Sequence, residues 1–284
     1  MVATPSASAT APALHPALRT LLSRPTPAVM GVLNVTPDSF SDGGQFLAPD
    51  RALAQARRLI AEGADILDIG AESTRPYGGA EAVSAEQELA RLRPILAEIV
   101  ALGIPVSIDS MKSSVTAFAL DAGATIANDV WGLQRDPGMA SLIAERNVPV
   151  IVMHNRDSAD PAIDIMKDIS TFFARSLDIA AKAGIGAGNI VLDPGIGFGK
   201  TQEQSMTVLA RLDQFKGFGL PLLVGASRKR FIASVVPSEP QQRLGGSIAA
   251  HLIAARHGAQ IIRAHDVVET VQALLVAAAI EDLA

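Results

Sequence analysis

Apolar runs alternate with amphipathic stretches along this chain, and the alternation predicts parallel strands linked by helices. Eight short apolar runs, rich in β-branched residues, are predicted as strands: residues 29–35, 66–69, 106–108, 125–127, 148–153, 190–192, 222–224 and 261–262. Helical spacing of apolar residues is found at residues 51–62, 86–102, 115–121, 138–145, 163–183, 203–212, 242–257 and 267–280. Glycines such as Gly63 and Gly184 follow these stretches, where a helix end needs a left-handed residue. Eight strand-helix repeats are the number that closes an α/β barrel.

A polar or charged residue recurs where each predicted strand runs into its loop. These residues are Asn34, Asp68, Asp109, Asn128, His154, Asp193, Ser227 with Lys229, and Arg263 with His265. In an α/β barrel the carboxyl ends of all strands meet at one rim, where the active sites of this fold lie. A doubly wound open sheet usually has a glycine fingerprint after its first strand, and residues 36–39 lack one. We therefore predict one (β/α)8 TIM-barrel domain over residues 25–284.

Charge and cysteine content exclude several kinds of function. The net charge of −5 provides no basic stripe for binding nucleic acid. The absence of cysteine excludes disulfides, thiolate metal sites and a cysteine nucleophile, and it agrees with a reducing, cytoplasmic location. No apolar run reaches the roughly 20 residues of a membrane span, so we expect no membrane partner. Residues 1–24, rich in Ala, Ser, Thr and Pro, are predicted to be a disordered leader, with an organellar address as the alternative.

Two long loops carry candidate chemistry: MGVLNVTPDSFSDGG at residues 30–44 and DIGAESTRP at residues 68–76. Turn chemistry explains part of the first loop, but Phe40 among polar residues favours a closing lid. Asn34 offers a neutral oxygen that suits a hard cation, although a strand-end asparagine is often structural. Arg75 suits a carboxylate or a phosphate, the alternative being a surface arginine before a proline turn.

The middle strands end in carboxylates and amides. The segments SIDS at residues 107–110 and IAND at residues 126–129, together with Asp193, could bind the ring nitrogens and amine of a flat heterocycle. Buried ion pairs are the alternative interpretation. LDPGIGFGK at residues 192–200 lacks the spacing of a nucleotide-phosphate loop, and its small residues instead let Phe198 approach a ligand closely.

The last two strands are followed by cations. GASRKRF at residues 225–231 contains three consecutive basic residues, and Arg263 and His265 follow the eighth strand. Loops after strands seven and eight form the usual phosphate site of an α/β barrel. A solvated basic patch is the alternative.

Together with RAHDV at residues 263–267, these motifs resemble the dihydropteroate synthase family in order and position from about residue 29 onward. The resemblance implies an Mg²⁺-dependent transferase of folate biosynthesis that is a sulfonamide target. Its substrates would be 6-hydroxymethyl-7,8-dihydropterin diphosphate and 4-aminobenzoate, and the products 7,8-dihydropteroate and diphosphate, formed by an SN1-like displacement. A homodimer is also implied, with contacts through the late helices.

The resemblance also assigns roles to residues whose motifs match. Asp109, Asn128, Asp193 and Lys229 would hold the pterin, and Asn34, Arg263 and His265 would bind the diphosphate, with Asn34 as the metal ligand. Phe40, Thr74, Arg75, Pro76, Phe198 and Lys229 would line or close the aminobenzoate pocket. Asp42 would stabilise the pterin methylene cation, and Lys229, Arg263 and His265 would complete the catalytic set.

Some positions depart from the family pattern. Arg230 stands where serine is common and helps receive the aminobenzoate carboxylate, so carboxylate recognition and sulfonamide sensitivity stay open. Trp131 replaces a small residue, and residues 77–79 lengthen the second loop. Two functional alternatives share the pterin site: a methyltransferase that passes a methyl group from a folate to a corrinoid protein, and a catalytically silent paralogue. Intact first-loop and diphosphate residues favour the synthase over both.

Overall fold

Eight parallel strands form the centre of the computed structural model, which describes residues 13–35, 48–72 and 83–283. The strands are β1 (Ala28–Asn34), β2 (Ile66–Gly70), β3 (Val106–Asp109), β4 (Ile126–Asp129), β5 (Val150–Met153), β6 (Ile190–Asp193), β7 (Leu223–Val224) and β8 (Ile261–Ala264). They run in the order β6-β5-β4-β3-β2-β1-β8-β7, and a parallel bridge between Leu192 and Leu222 joins the two ends of the sheet. The predicted (β/α)8 barrel is therefore confirmed.

Helices connect the strands and pack around the barrel. They are α1 (Pro16–Leu22), α2 (Ala48–Ala61), α3 (Ala85–Leu92), α4 (Leu96–Val100), α5 (Ser113–Asp121), α6 (Pro137–Arg146), α7 (Ile165–Ala183), α8 (Gln202–Ala210), α9 (Arg230–Val235), α10 (Leu244–Arg256) and α11 (Val267–Glu281). The helix predicted over residues 86–102 is divided into α3 and α4, because Pro94 has no N–H for the helical hydrogen bond and its ring clashes with the preceding turn. The short helix α9 was not predicted separately.

The N-terminal segment differs from the expectation of a leader over residues 1–24. Helix α1 places Leu18 and Leu21 on one face, where both are buried in a cluster of residues near the amino ends of the strands. Full burial of a leucine contributes about 1.5–3 kcal/mol, which stabilises the packing of α1 against the amino ends of the strands. The prediction of disorder is therefore wrong for residues 13–24, and residues 1–12 lie outside the described part of the chain.

The two ends of the barrel thus differ in chemistry. Apolar side chains fill the amino ends of the strands, including Met30, Ile66 and Ile126. Polar side chains occupy the opposite rim. Within the described ranges, no helix is long and apolar enough to cross a membrane.

Candidate active site

Several strand-end residues lie in one layer because the strands are in parallel register. Asn34 pairs with Gly70, Gly70 with Asp109, and Asp109 with Asn128. Asp193 is the last residue of β6. The structure therefore brings Asn34, Asp109, Asn128 and Asp193 together at one rim, as the sequence predicted, whereas His154 is fully buried.

Arg263 is the central cation of this rim and bonds two carboxylates. Its Nε donates to Asp68 Oδ2 at 2.6 Å, and its Nη2 donates to Asp109 Oδ2 at 2.9 Å. Only 19% of the Arg263 side chain is exposed, and Asp68 is fully buried. A charge this deep in the protein needs such partners, so the guanidinium and the two carboxylates hold one another in place.

Two acceptor atoms of the cluster lack a partner within the described structure. Asn128 Nδ2 donates to both oxygens of Asp68, at 3.3 and 3.2 Å, which orients its amide. Asn128 Oδ1 and Asp109 Oδ1 are both buried and unbonded. Because buried polar atoms are rarely left unbonded, adjacent unpaired acceptors indicate a ligand that offers N–H groups.

Burial perturbs the acids of the rim. The pKa of Asp109 is raised to about 7 by burial and by the neighbouring charge of Asp68, and Arg263 opposes the rise. Burial also raises the pKa of Asp193 to about 6, against a 2.7 Å hydrogen bond from the Gly195 N–H to its Oδ1. Perturbed acids in a cleft are typical of functional sites.

The rim beside Arg263 contains a neutral histidine. Burial, and then the charge of Arg263, lower the pKa of His265 to about 3, so the ring is uncharged at pH 7. Its Nδ1 lies 3.1 Å from Ser227 Oγ. His265 therefore contributes a hydrogen bond rather than the positive charge that the sequence analysis expected.

Lys229 and Phe198 meet across the loops that follow β7 and β6. The Lys229 ammonium lies 3.9 Å from the centroid of the Phe198 ring, a cation-π distance. Gly197 permits this approach, since a Cβ there would lie 3.2 Å from Lys229 Cδ. Two of the six residues predicted for the aminobenzoate pocket are thus in direct contact.

Asn34 is the described residue that was predicted to bind a metal. A Cβ on Gly70 would lie 3.7 Å from Asn34 Oδ1 and 3.6 Å from Asp109 Oδ2, so both oxygens flank the bare Gly70 backbone. In the described ranges, no group of three or more His, Asp or Glu side chains could enclose a metal. Because Asp109 Oδ2 already accepts from Arg263, Asn34 Oδ1 is the donor that fits Mg²⁺, an ion that commonly keeps several waters and binds substrate phosphate.

Five predicted site residues lie outside the described part of the chain: Phe40, Asp42, Thr74, Arg75 and Pro76. Their roles stay predictions.

Comparisons with known proteins decide the family. A family described as pterin binding enzyme matches residues 30–265. A dihydropteroate synthase of Bacillus subtilis is 47% identical over 240 residues, 84% of this chain and 83% of its own length. The chain belongs to the dihydropteroate synthase family. The prediction of that family and of a transferase is therefore confirmed.

Solved dihydropteroate synthases have the same fold. A Xanthomonas albilineans dihydropteroate synthase with 4-aminobenzoic acid has a TM-score of 0.87 at 44% identity, covering 92% of this chain and 94% of that one. A second structure from the same organism, in complex with 7,8-dihydropteroate, has a TM-score of 0.83 at 42% identity over 92% and 95% of the two chains. These relatives favour the synthase over the corrinoid methyltransferase.

One departure from the dihydropteroate synthase pattern has a structural explanation. The Trp131 ring lies under the guanidinium of Arg135, 4.3 Å from its Cζ, and Arg135 pairs with Asp157 at 3.0 Å. The backbone N–H of Trp131 donates to Asp129 Oδ1 at 2.9 Å. Trp131 thus packs against Arg135 of its own loop, and Arg135 links that loop to the one after β5 through Asp157.

The sequence analysis missed functional partners that lie behind the predicted residues. Asp68 was noted as a strand-end residue but was given no role, although it bonds both Arg263 and Asn128. Lys200 was treated as part of a weak phosphate-loop pattern, yet it is almost completely buried. Position at a strand end was the available signal for Asp68, whereas nothing local in the sequence indicated burial of Lys200.

Proposed function

We propose that this chain condenses 6-hydroxymethyl-7,8-dihydropterin diphosphate with 4-aminobenzoate at the strand-end rim. The observation that carries the proposal is the Asp68–Arg263–Asp109 cluster with its buried, unbonded acceptors Asp109 Oδ1 and Asn128 Oδ1. A pterin ring presents N–H and amino groups along one edge, which matches these acceptors. The relatives solved with 4-aminobenzoic acid and with 7,8-dihydropteroate support the same substrates.

The reaction breaks the bond between the pterin methylene carbon and the diphosphate oxygen. The bonding electrons leave with diphosphate, where the fixed charge of Arg263 and the N–H of neutral His265 stabilise the developing anion. The amino nitrogen of aminobenzoate then forms the new bond to carbon, and its proton passes to solvent. Lys229 and Phe198 would position the incoming aminobenzoate.

Asn34 would hold Mg²⁺ through its side-chain oxygen, with water and diphosphate completing the coordination. When bound, the ion neutralises negative charge on the leaving group. Asp42 would stabilise the cationic pterin intermediate. Both assignments rest on the family motif, and the oxygen donors beside Gly70 support the first.

Mass spectrometry of the product tests the proposal. Purified protein with both substrates and Mg²⁺ is expected to form 7,8-dihydropteroate, whereas Lys229→Ala and a chelator-treated sample are expected to form little. Calorimetry with dihydropterin diphosphate, with and without Mg²⁺, measures the metal's part in binding separately from turnover. Binding without any product would favour the silent paralogue, and failure to bind would contradict the assignment of the whole rim.

A homodimer and a cytoplasmic location are further parts of this proposal. Helices α10 and α11 expose apolar side chains, among them Ile253 (43%), Leu275 (53%), Val276 (54%) and Ile280 (64%). An apolar face of this kind is typical of an interface between protein copies. Sedimentation analysis decides the oligomeric state: a monomer at micromolar concentration would contradict the dimer.

A further inference from the structure

Lys200 is a buried cation that has no role in the proposed chemistry. Only 2% of its surface is exposed. A lysine is almost never buried so fully unless its ammonium group has partners. Its Nζ donates to His154 Nδ1 at 2.7 Å, to Gly195 O at 2.8 Å and to Phe198 O at 3.1 Å. These three acceptors match the three N–H groups of an ammonium.

The hydrogen bonds continue from Lys200 to the start of α7. His154 Nε2 lies 3.0 Å from Asp168 Oδ2, and Arg156 Nη1 donates to Asp168 Oδ1 at 2.9 Å. Because a carboxylate only accepts, His154 carries its proton on Nε2 and accepts from Lys200 through Nδ1. Burial lowers the pKa of His154 to about 3, which keeps the ring neutral, and the hydrogen bond to Asp168 keeps this tautomer in place.

The loop that Lys200 holds has little room to move. Gly195 and Gly199 have φ of 65° and 54°, and a Cβ on either would overlap the backbone of the β5 loop: that of Gly195 would lie 2.0 Å from His154 O, and that of Gly199 2.6 Å from Arg156 O. The loop of residues 195–199 therefore packs directly against the backbone of His154 and Arg156, which belong to the same series of hydrogen bonds.

Phe198 lies at the end of this chain and faces Lys229. Lys200 bonds the carbonyl of Phe198, while the face of the Phe198 ring contacts the Lys229 ammonium. Asp193 is held by the strand layer as well as by the loop, because its carbonyl accepts from the His154 N–H at 2.8 Å and its Oδ1 accepts from the Gly195 N–H at 2.7 Å. A change at Lys200 will therefore displace Phe198 more than Asp193.

We propose that Lys200 is a positioning residue for the aminobenzoate pocket: it ties the loop of residues 195–199 to His154 and thereby fixes the Phe198 ring against Lys229. This inference rests on the proposed function. It assigns the buried lysine to selection of the second substrate rather than to pterin binding.

Lys200→Met tests the inference, because methionine is unbranched and donates no hydrogen bond. The KM for 4-aminobenzoate is expected to rise roughly 10- to 100-fold, the scale of a small misplacement of a binding group. The dissociation constant of dihydropterin diphosphate with Mg²⁺, measured calorimetrically without aminobenzoate, is expected to change less than about threefold. Lys182→Met is the matched control, since that side chain is 74% exposed on α7, and both quantities should be unchanged.

Two outcomes for Lys200→Met would overturn the inference. One is a lower kcat with the aminobenzoate KM and the pterin dissociation constant unchanged; the other is an equal loss of affinity for the pterin and for aminobenzoate. If Lys200→Met does not fold, Asp168→Ala replaces it, because the Asp168 side chain is 30% exposed. The change removes the acceptor that keeps the proton of His154 on Nε2. A raised aminobenzoate KM supports the inference, and an unchanged one overturns it. Absence of turnover by the unmodified protein would overturn the proposed function, and this inference with it.

Discussion

Two buried basic side chains, Arg263 and Lys200, differ in the charge of their hydrogen-bond partners. Arg263 donates to the carboxylates of Asp68 and Asp109, and these charges raise its pKa further despite the opposing effect of burial. Lys200 donates to an imidazole and two carbonyls, and burial lowers its pKa to about 7. Arg263 is therefore a permanent charge, whereas Lys200 can lose its proton near neutral pH.

The two residues therefore have different roles: Arg263 can bind the departing anion, whereas Lys200 supports the conformation of a loop. Two carboxylates keep Arg263 charged at every physiological pH, so it can stabilise a departing anion at a rim position that is 19% exposed. Lys200 has no directly bonded carboxylate within the described structure and is 2% exposed. Its hydrogen bonds shape a loop, and its charge is not available to the substrate.

Arg263→Met is expected to have the largest effect. Turnover should fall by roughly 10²–10³-fold, because the fixed charge that stabilises diphosphate is lost. Asp68 and Asp109 then lack their shared cation, so the pKa of Asp109 should rise above about 7. Steady-state kinetics and carboxyl NMR measure the two effects.

Arg256→Met provides the control for that experiment, because Arg256 pairs with Glu281 on the surface and is 67% exposed. Exposed pairs contribute at most about 1 kcal/mol, so activity should be unchanged. Equal activity of Arg263→Met and Arg256→Met would contradict the assignment of Arg263 to the leaving group.

The comparison also shows what the sequence could predict. Strand positions follow from local apolar runs, and the carboxyl ends of parallel strands must share a rim, so Asn34, Asp109 and Asn128 were placed correctly. The neutrality of His265 and the burial of Lys200 depend on packing between distant segments. A lysine after glycines gives no local sign that it points inward.

The N-terminal helix illustrates the same limit. Residues 1–24 taken together are rich in Ala, Ser, Thr and Pro, a composition that suits a disordered leader, although leucines occupy positions 14, 18, 21 and 22. The burial of Leu18 and Leu21 depends on the open lower end of the barrel, which only the assembled strands create. The average composition of residues 1–24 thus concealed the leucines that tertiary packing buries.

Asp68→Asn is expected to have an intermediate effect and sharpens the description of Arg263. The change keeps the shape of the side chain but removes one of the two carboxylate charges, and Asp68 is the second cause of the raised pKa of Asp109. The pKa of Asp109 should therefore fall, and turnover should decrease by roughly tenfold as Arg263 loses one of its two anchors. Carboxyl NMR at several pH values measures the shift; a pKa of Asp109 that stays at about 7 would mean that burial alone controls it.

Lys200 is expected to give the free energy of unfolding a pH dependence, an effect on stability rather than on turnover. Its pKa is about 7 in the folded protein against 10.5 for an exposed lysine, so between these pH values the unfolded chain binds a proton that the folded protein lacks. Folding stability must then rise with pH, by about 1.4 kcal/mol per unit, and this contribution is lost as pH falls through 7. Denaturant unfolding at pH 7.5–9.5 should show this slope in the difference between the unmodified protein and Lys200→Met, in which shared titrations cancel. A flat difference would mean that the three hydrogen bonds keep Lys200 protonated, and that the two buried cations differ in location but not in charge.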